Sequence, residues 1–382
     1  MEKRRKVLIA TGIYPPDIGG PATYARNLST ELVRLGWEVL ILTYGDDNQE
    51  TGVTEETEKK IIKVSRRQDK LSRYGKYFLA AWRLAKKSDI IYALDPLSAG
   101  LPAGLAARLR GCPAVLRLGG DWLWEKAVEA GRTVLPLAAY YEHRDDWPQT
   151  EKWRAFLLRV ALKFFKLIIF STAWQRDIYT NYFGLKKEKT AIIANPCHVA
   201  GPARLAPFKK EVVFAGRLLK LKNLARLLTA WQTLDTQDTI LAIYGEGPER
   251  SNLQKMIAEQ KLEKRVLLQP AVRTKELLAI IARSLFVVIP SLSEISPNLA
   301  LESLAAGKAV LLTQENGLEP EIKNLAVLYN PLDVNDLKDK IACLLDKQKR
   351  AAIENKIKSG LLEKRSWRDV AAEHQVYFAR IT

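Results

Sequence analysis

Cysteine is scarce in this chain: of 382 residues only Cys112, Cys197 and Cys343 are cysteines, too widely separated for a CxxC pair. Neither a disulfide framework nor a cysteine zinc site is expected, and a reducing cytosol suits such a sequence. Long apolar runs are also missing, since no stretch approaches the roughly 18 residues that mark a membrane-spanning helix. The opening MEKRRKVLIATG has basic residues before an apolar run, but the run is short and leads into a Pro-Pro turn. It reads as a first buried strand rather than a signal segment. Glycine and proline number only 21 and 17, which excludes fibrous and low-complexity classes and leaves a globular composition. No two aspartates are separated by a single residue, so an Asp-x-Asp metal site is absent.

Positive charge is abundant. Lys and Arg number 60 against 43 Asp and Glu, a net charge of +17. That sum alone does not distinguish a sticky surface from a local patch, so its distribution matters. Residues 59–87 hold eleven Lys or Arg and one Asp, and Tyr74, Tyr77, Phe78 and Trp82 recur there at helical spacing. A basic helix is expected, with the aromatics packed on a sheet and the cations facing an anionic membrane surface. Aromatics interleaved with cations could also stack on bases, but no nucleic-acid module accompanies them, and a nucleic-acid partner is not expected.

Short runs rich in Val, Ile and Leu recur at residues 7–10, 39–43, 90–93, 114–118, 167–171 and 191–194, with helical spacing between several of them. These are the marks of buried parallel strands joined by helical crossovers. A second series follows at 212–215, 240–244, 266–269, 286–290, 309–313 and 326–329. The predicted organisation is α/β: a Rossmann-like domain over 1–195, a proline-containing linker over 196–210, a second Rossmann-like domain over 211–365, and a helix over 366–382 that crosses back to the first. Ligands of such sheets bind beyond the carboxyl ends of the strands, which directs attention to a cleft across which the two domains face each other.

The stretch 286–307, FVVIPSLSEISPNLALESLAAG, specifies a strand, a short loop and a helix. Ser296 suits the N-cap, Pro297 the first helical position and Gly307 the position after the end. The backbone N–H groups of Asn298, Leu299 and Ala300 would then leave a helix start able to bind a phosphate. Glu302 is the only charged residue between Glu294 and Lys308. A carboxylate on a helix that packs beside a buried strand needs a partner: it snorkels to water, caps a neighbouring loop or meets a ligand. Arg217 follows the strand at 212–215, and Lys222 stands just before Asn223, a candidate cap for a helix over 224–234. A planar fork and a compact charge at a strand's carboxyl end suit the two phosphates of a diphosphate, although each is individually also an ordinary solvated cation. Gly19-Gly20 and Gly245-Glu246-Gly247 are turn glycines that could equally admit a ligand to the backbone.

In this order, PPDIGGPATY, VVFAGRLLKLKN, YGEGP, PSLSEISPNLALESLAAGKAVLLT and a terminal helix that begins with Ser-Trp resemble, over nearly the whole chain, the large retaining glycosyltransferase family 4. The strongest single sign is the E-x7-E pair, Glu294 with Glu302. The resemblance implies a GT-B fold and a nucleotide-diphosphate sugar as donor. Glu294 would hold hydroxyls of the donor sugar, and the amides of Asn298 and Leu299, presented by Ser296 and Pro297, would reach sugar and phosphate. Glu302 would bind the ribose, and Arg217 and Lys222 would neutralise the diphosphate leaving group. Gly20 would close on the donor phosphate from the first domain, while Pro270, Ala271 and Val272 would lie against the base. Where many members have a His-Gly pair this chain has Arg117-Leu118-Gly119-Gly120-Asp121-Trp122, and Leu94 replaces a second common histidine. Asp121 is therefore the polar candidate for sugar or acceptor contact, or else a turn former. No cofactor and no metal are implied. The expected protein is a cytoplasmic transferase whose acceptor is lipid-linked or a cell-surface glycan precursor, with a nucleotide-sugar epimerase or a phosphorylase as the alternative on the same fold.

Overall fold

The computed structural model describes residues 4–17, 19–45, 59–197, 209–236, 238–359 and 365–382. Most of the linker expected at 196–210 lies outside these residues. The chain divides into two compact units. One comprises Met1–Leu123, Asp145–Pro196 and Arg365–Thr382; the other comprises Trp124–Arg144 and Cys197–Lys364.

In the first unit seven strands form one all-parallel sheet: β1 (Lys6–Ala10), β2 (Glu38–Gly45), β3 (Lys59–Ser65), β4 (Ile90–Ala93), β5 (Ala114–Leu118), β6 (Leu167–Phe170) and β7 (Thr190–Ile192). Their order is β3-β2-β1-β4-β5-β6-β7. The central strands are buried along their length, because helices cover both faces and every side chain has apolar neighbours. The order reverses at β1. Right-handed crossovers therefore send helix Gly20–Arg34 to one face, and helices Lys70–Ala85, Gly100–Arg110 and Gln149–Leu162 to the other.

Residues 59–87 are not one basic helix. Residues 59–65 form the edge strand β3, paired with β2 from Val39↔Lys59 to Gly45↔Ser65, and only Lys70–Ala85 is helical. Lysines on an edge strand discourage pairing with another chain, and they also hide the strand from an apolar-run search. The helix starts at Asp69, whose carboxylate accepts the Ser72 amide at 3.0 Å. Its aromatics pack inward: Tyr77 is fully buried, with its hydroxyl donating to the Leu42 carbonyl at 2.8 Å. Trp82 lies 3.3 Å beneath the Arg110 guanidinium.

The terminal helix Trp367–Ile381 belongs to the first unit and packs on helix Gly20–Arg34. A reciprocal capping box of Ser366 and Asp369 opens it, and Val370, Ala371, His374 and Phe378 are its buried face. Phe378 meets the rings of Trp37 and Tyr92 edge-on. His374 Nδ1 lies 2.7 Å from the Val370 carbonyl, so that nitrogen carries the proton. Nε2 then accepts from the Tyr92 hydroxyl at 2.7 Å and the Tyr24 hydroxyl at 3.3 Å. Burial pushes the imidazole down to about 3, which keeps it neutral.

The second unit repeats the plan with six parallel strands: β8 (Glu211–Ala215), β9 (Ile240–Tyr244), β10 (Val266–Gln269), β11 (Phe286–Ile289), β12 (Val310–Thr313) and β13 (Val327–Tyr329), in the order β10-β9-β8-β11-β12-β13. The order reverses at β8, so the loops after β8 and β11 leave the carboxyl ends of adjacent strands at a switch point. No helix among the described residues is long and apolar enough to cross a membrane.

Candidate functional site

The two loops at this switch point carry the cations and carboxylates singled out in the sequence. After β8 the chain passes through Arg217, makes a short turn over Lys220–Lys222, and enters helix Leu224–Gln232. Asn223 makes that entry in the left-handed region at φ 56°, a conformation that Asn tolerates better than most residues. It stands at the N-cap position, as expected, but its side chain does not cap the helix. The amide Nδ2 donates instead to the Pro331 carbonyl at 3.2 Å, which anchors the turn. Arg217 is exposed, and its guanidinium has no hydrogen bond or ion pair among the described residues.

Lys222 is held differently. Its Nζ lies 2.6 Å from Glu294 Oε1, and Ser291 Oγ donates to the same oxygen at 2.6 Å. Glu294 itself is pinned by its backbone, donating to the Glu315 carbonyl and accepting from the Gly317 amide, both at 2.9 Å. The loops after β8 and β11 are thus tied together through one carboxylate, although 72 positions separate the partners. With side-chain exposures of 21% and 11%, the pair is screened less than a surface ion pair.

Helix Asn298–Ala305 begins one residue later than the sequence suggests. Pro297 occupies the N-cap position, its carbonyl accepting the first helical bond from Leu301 at 3.1 Å, and no side chain caps the start. Ser296 precedes the cap, and its carbonyl takes the Asn298 amide at 2.9 Å. Two amides, those of Leu299 and Ala300, are left without a hydrogen bond among the described residues. The terminus keeps its anion-binding character with Asn298 removed from the set of free donors.

Glu302 lies on this helix, half-buried, and its carboxylate makes no hydrogen bond or ion pair among the described residues. Desolvation pushes its pKa up to about 7. Its charge also contributes to the raised pKa of the Cys197 thiol, whose main cause is burial, so the start of the second unit's core segment lies close by. Pro270 and Ala271 follow β10 in an exposed loop, with Val272 packed partly against the second unit's core.

The first-unit candidates are placed separately. Gly20 is the exposed first residue of its helix, and a Cβ there would meet nothing within 4 Å. At Gly19 a Cβ would stand 2.7 Å from Ile13 Cδ1, the end of a side chain that can move aside, so neither glycine is demanded by close packing. Asp121 is fully buried, immediately before helix Trp122–Glu129.

Sequence reasoning missed the part played by residues 124–144, which follow β5 in the chain yet belong to the second unit. Glu129 Oε1 accepts the Leu221 amide at 3.2 Å, and Ser293 Oγ accepts the Leu137 amide at 2.8 Å. This segment therefore grips both loops, one residue away from Lys222 and one from Glu294. No local pattern announces such contacts. Glu129→Ala should lower kcat/KM roughly tenfold by loosening the Lys222 turn, on the scale set by the loss of a hydrogen bond to a charged acceptor. Steady-state kinetics of the variant provide the check, and unchanged kinetics would show that the turn holds without it.

An all-parallel sheet in each unit and a charged site at the switch point of the second define a two-domain α/β protein of the GT-B type. The same fold is found in sucrose-phosphate synthase from Thermosynechococcus elongatus, with a TM-score of 0.73 at 17% sequence identity over 99% of both chains. The profile described as Glycosyltransferase Family 4 matches residues 18–200, and that described as Glycosyl transferases group 1 matches residues 203–359. Together they span nearly the whole sequence, and the chain belongs to this glycosyltransferase family. It is 25% identical over 394 residues to the MMP alpha-(1->4)-mannosyltransferase of Mycolicibacterium hassiacum, covering 93% of each chain. It is likewise 25% identical over 412 residues to a glycogen synthase of Mycobacterium tuberculosis, covering 98% of this chain and 94% of that one.

Proposed function

We propose that this glycosyltransferase is a metal-independent hexosyltransferase that takes its sugar from a nucleotide-diphosphate donor and retains the anomeric configuration. The observation that carries this reading is the ion pair of Lys222 and Glu294 across the loops after the adjacent strands β8 and β11, with Glu302, which has no partner among the described residues, on the helix that follows β11. Lys222 and the exposed Arg217 supply positive charge for the departing diphosphate, aided by the amides of Leu299 and Ala300. Glu302, whose burial leaves its oxygens without donors, takes the two ribose hydroxyls. Glu294 holds hydroxyls of the sugar, with Ser296, Pro297 and Asn298 shaping the wall beside it, and Pro270, Ala271 and Val272 lie along the base. Gly20 and Asp121 are the first unit's candidates, Gly20 for a phosphate and Asp121 for the sugar or the acceptor.

The chemistry needs no protein nucleophile. The acceptor hydroxyl attacks C1 from the face that the diphosphate leaves. The C1–O bond to phosphate breaks, the bond to the acceptor oxygen forms, and a phosphate oxygen takes the acceptor's proton. The protein's contribution is positioning and electrostatic stabilisation. The acceptor is read as lipid-linked or as a precursor of a cell-surface glycan, used at the cytoplasmic face of a membrane through a peripheral contact that includes residues 59–87.

A thermal-shift series with UDP, GDP, ADP and CDP tests the donor site. One of them at about a hundred times its Kd should add roughly 2.7 kcal/mol to the stability of the state it binds. The shift should persist in excess EDTA, as should turnover. Turnover lost in EDTA and restored by magnesium or manganese would overturn metal independence. Release of nucleoside diphosphate without any acceptor would favour an epimerase-like reaction.

A further inference from the structure

We propose that one helical face of the first unit, formed by Lys70–Ala85, Gly100–Arg110 and Gln149–Leu162, docks on an anionic lipid bilayer. This deepens the lipid-linked reading of the acceptor and rests on it only for its purpose, since the surface is independent of the donor site. The three helices lie on the same side of the sheet, with Gly100–Arg110 packed against both of the others. Their sequences contain nine Lys or Arg and a single acid, Glu151, which is buried and paired with Arg154 at 2.8 Å. The outward charge is therefore almost all of one sign; the exposed carboxylate at this surface is that of Asp69, which caps Lys70–Ala85 and accepts the Ser72 amide.

Charge alone would suit many polyanions. The apolar residues decide between them. Isolated exposed hydrophobics are normal on a soluble surface. Here six of the nine large exposed hydrophobic residues of the described chain fall on these three helices: Leu71, Leu79, Leu105, Leu109, Trp153 and Phe156. Trp153 and Phe156, 58% and 52% exposed, stack on each other at 5.4 Å and stand between the exposed cations Lys152 and Arg159. Aliphatic anchors such as Leu71, 86% exposed, and Leu109, 62% exposed, offer nothing to a stacked base or a phosphate backbone. They do gain on entering the boundary between headgroups and acyl chains, where tryptophan also prefers to sit.

A cavity of about 440 Å³ adds a headgroup site to this face. It lies between the edge strand β3 and helix Lys70–Ala85, and Lys63, Lys76 and Arg83 line it together with Ser65 and Gln68. Lys76 and Arg83 carry no ion pair among the described residues. Three cations beside two hydrogen-bonding side chains suit the phosphate of a phospholipid headgroup, with exposed Leu79 at the rim directed to its acyl chain. The aromatics of helix Lys70–Ala85 pack inward, as the sequence suggests, with Tyr77 fully buried, and the exposed aromatic pair lies on helix Gln149–Leu162, at 153 and 156.

The test uses the full chain and vesicles of phosphatidylcholine with or without phosphatidylglycerol, across a salt series. Wild type should co-sediment with the anionic vesicles at low salt and not with phosphatidylcholine alone. Lys76→Gln with Arg83→Gln should weaken binding about fivefold per cation removed. Trp153→Ser with Phe156→Ser should weaken it roughly tenfold, and by the same factor at high salt, because that contribution is apolar. All four positions are at the surface, so melting temperatures should match wild type. Failure of wild type to bind anionic vesicles at low salt would overturn the proposal. So would equal binding by all three proteins, or tighter binding to a single-stranded oligonucleotide than to vesicles. UDP and GDP thermal shifts on the same proteins separate the two claims: shifts without vesicle binding reject the docking face alone, and vesicle binding without shifts rejects the donor site alone.

Discussion

Glu302→Gln should make the protein more stable and less able to hold its donor. The folded protein raises this carboxyl from 4.5 to about 7 through desolvation. A carboxyl with a raised pKa stabilises the fold fully below its unfolded value, and that stability is lost as pH climbs from about 4.5 through about 7. By pH 8 the charged form costs on the order of 3 kcal/mol, because a tenfold change in proton affinity corresponds to about 1.36 kcal/mol. Glutamine removes the charge and keeps the shape, so urea unfolding should show a gain of about 1–3 kcal/mol at pH 8 and almost none at pH 4. Nucleoside diphosphate affinity should run the opposite way. A carboxylate accepts from two ribose hydroxyls more strongly than an acid or an amide can, so wild-type affinity should rise between pH 6 and 8 while the variant's stays flat and weaker. A Glu302→Gln protein no more stable than wild type at pH 8 would mean that the carboxylate has a partner in solution.

Lys222→Ala should be the most damaging single change to catalysis. It removes one of the two cations proposed to neutralise the leaving group and leaves Glu294, only 11% exposed, facing Ser291 without its ion-pair partner. The loss of charge neutralisation at the diphosphate and the new repulsion from Glu294 act in the same direction. A fall of about 10²–10³ in kcat/KM is expected, the scale seen when one preorganised oxyanion donor is removed, with most of it in kcat. Lys222→Arg should recover only part of the activity, because a planar fork cannot reproduce a compact ammonium held 2.6 Å from one oxygen. Steady-state kinetics with a saturating acceptor decide the matter, and a variant that keeps more than about a tenth of wild-type kcat/KM would contradict the role.

The sheet strands were legible where burial on both faces forces continuous apolar runs, as in Ile90–Ala93, Ala114–Leu118 and Phe286–Ile289. Strand β3 was not, because an edge strand needs apolar residues on one side only and its lysines mimic a basic helix. The position of helix Asn298–Ala305 was legible to within one residue, and the shift matters because it engages the Asn298 amide with Ser296. Glu302's isolation was visible as one charge in an apolar run. The bond from Lys222 to Glu294 was not, since it depends on β8 and β11 lying side by side, and neither was the reach of Glu129 to Leu221 from a segment that follows a strand of the other unit.

Calorimetric titration of UDP and GDP into wild type and the Arg217→Ala, Glu302→Ala and Glu294→Ala variants tests the donor site most directly. Arg217 should bear on phosphate and Glu302 on ribose, so both variants should lose about tenfold or more in affinity. Glu294 should bear on the sugar, which these ligands lack, and its removal frees Lys222 from their ion pair. Glu294→Ala should therefore bind the diphosphate as tightly as wild type or more tightly, while its turnover collapses. Equal loss of diphosphate affinity in all three variants, or no binding to wild type, would contradict the assignment of these residues to the donor.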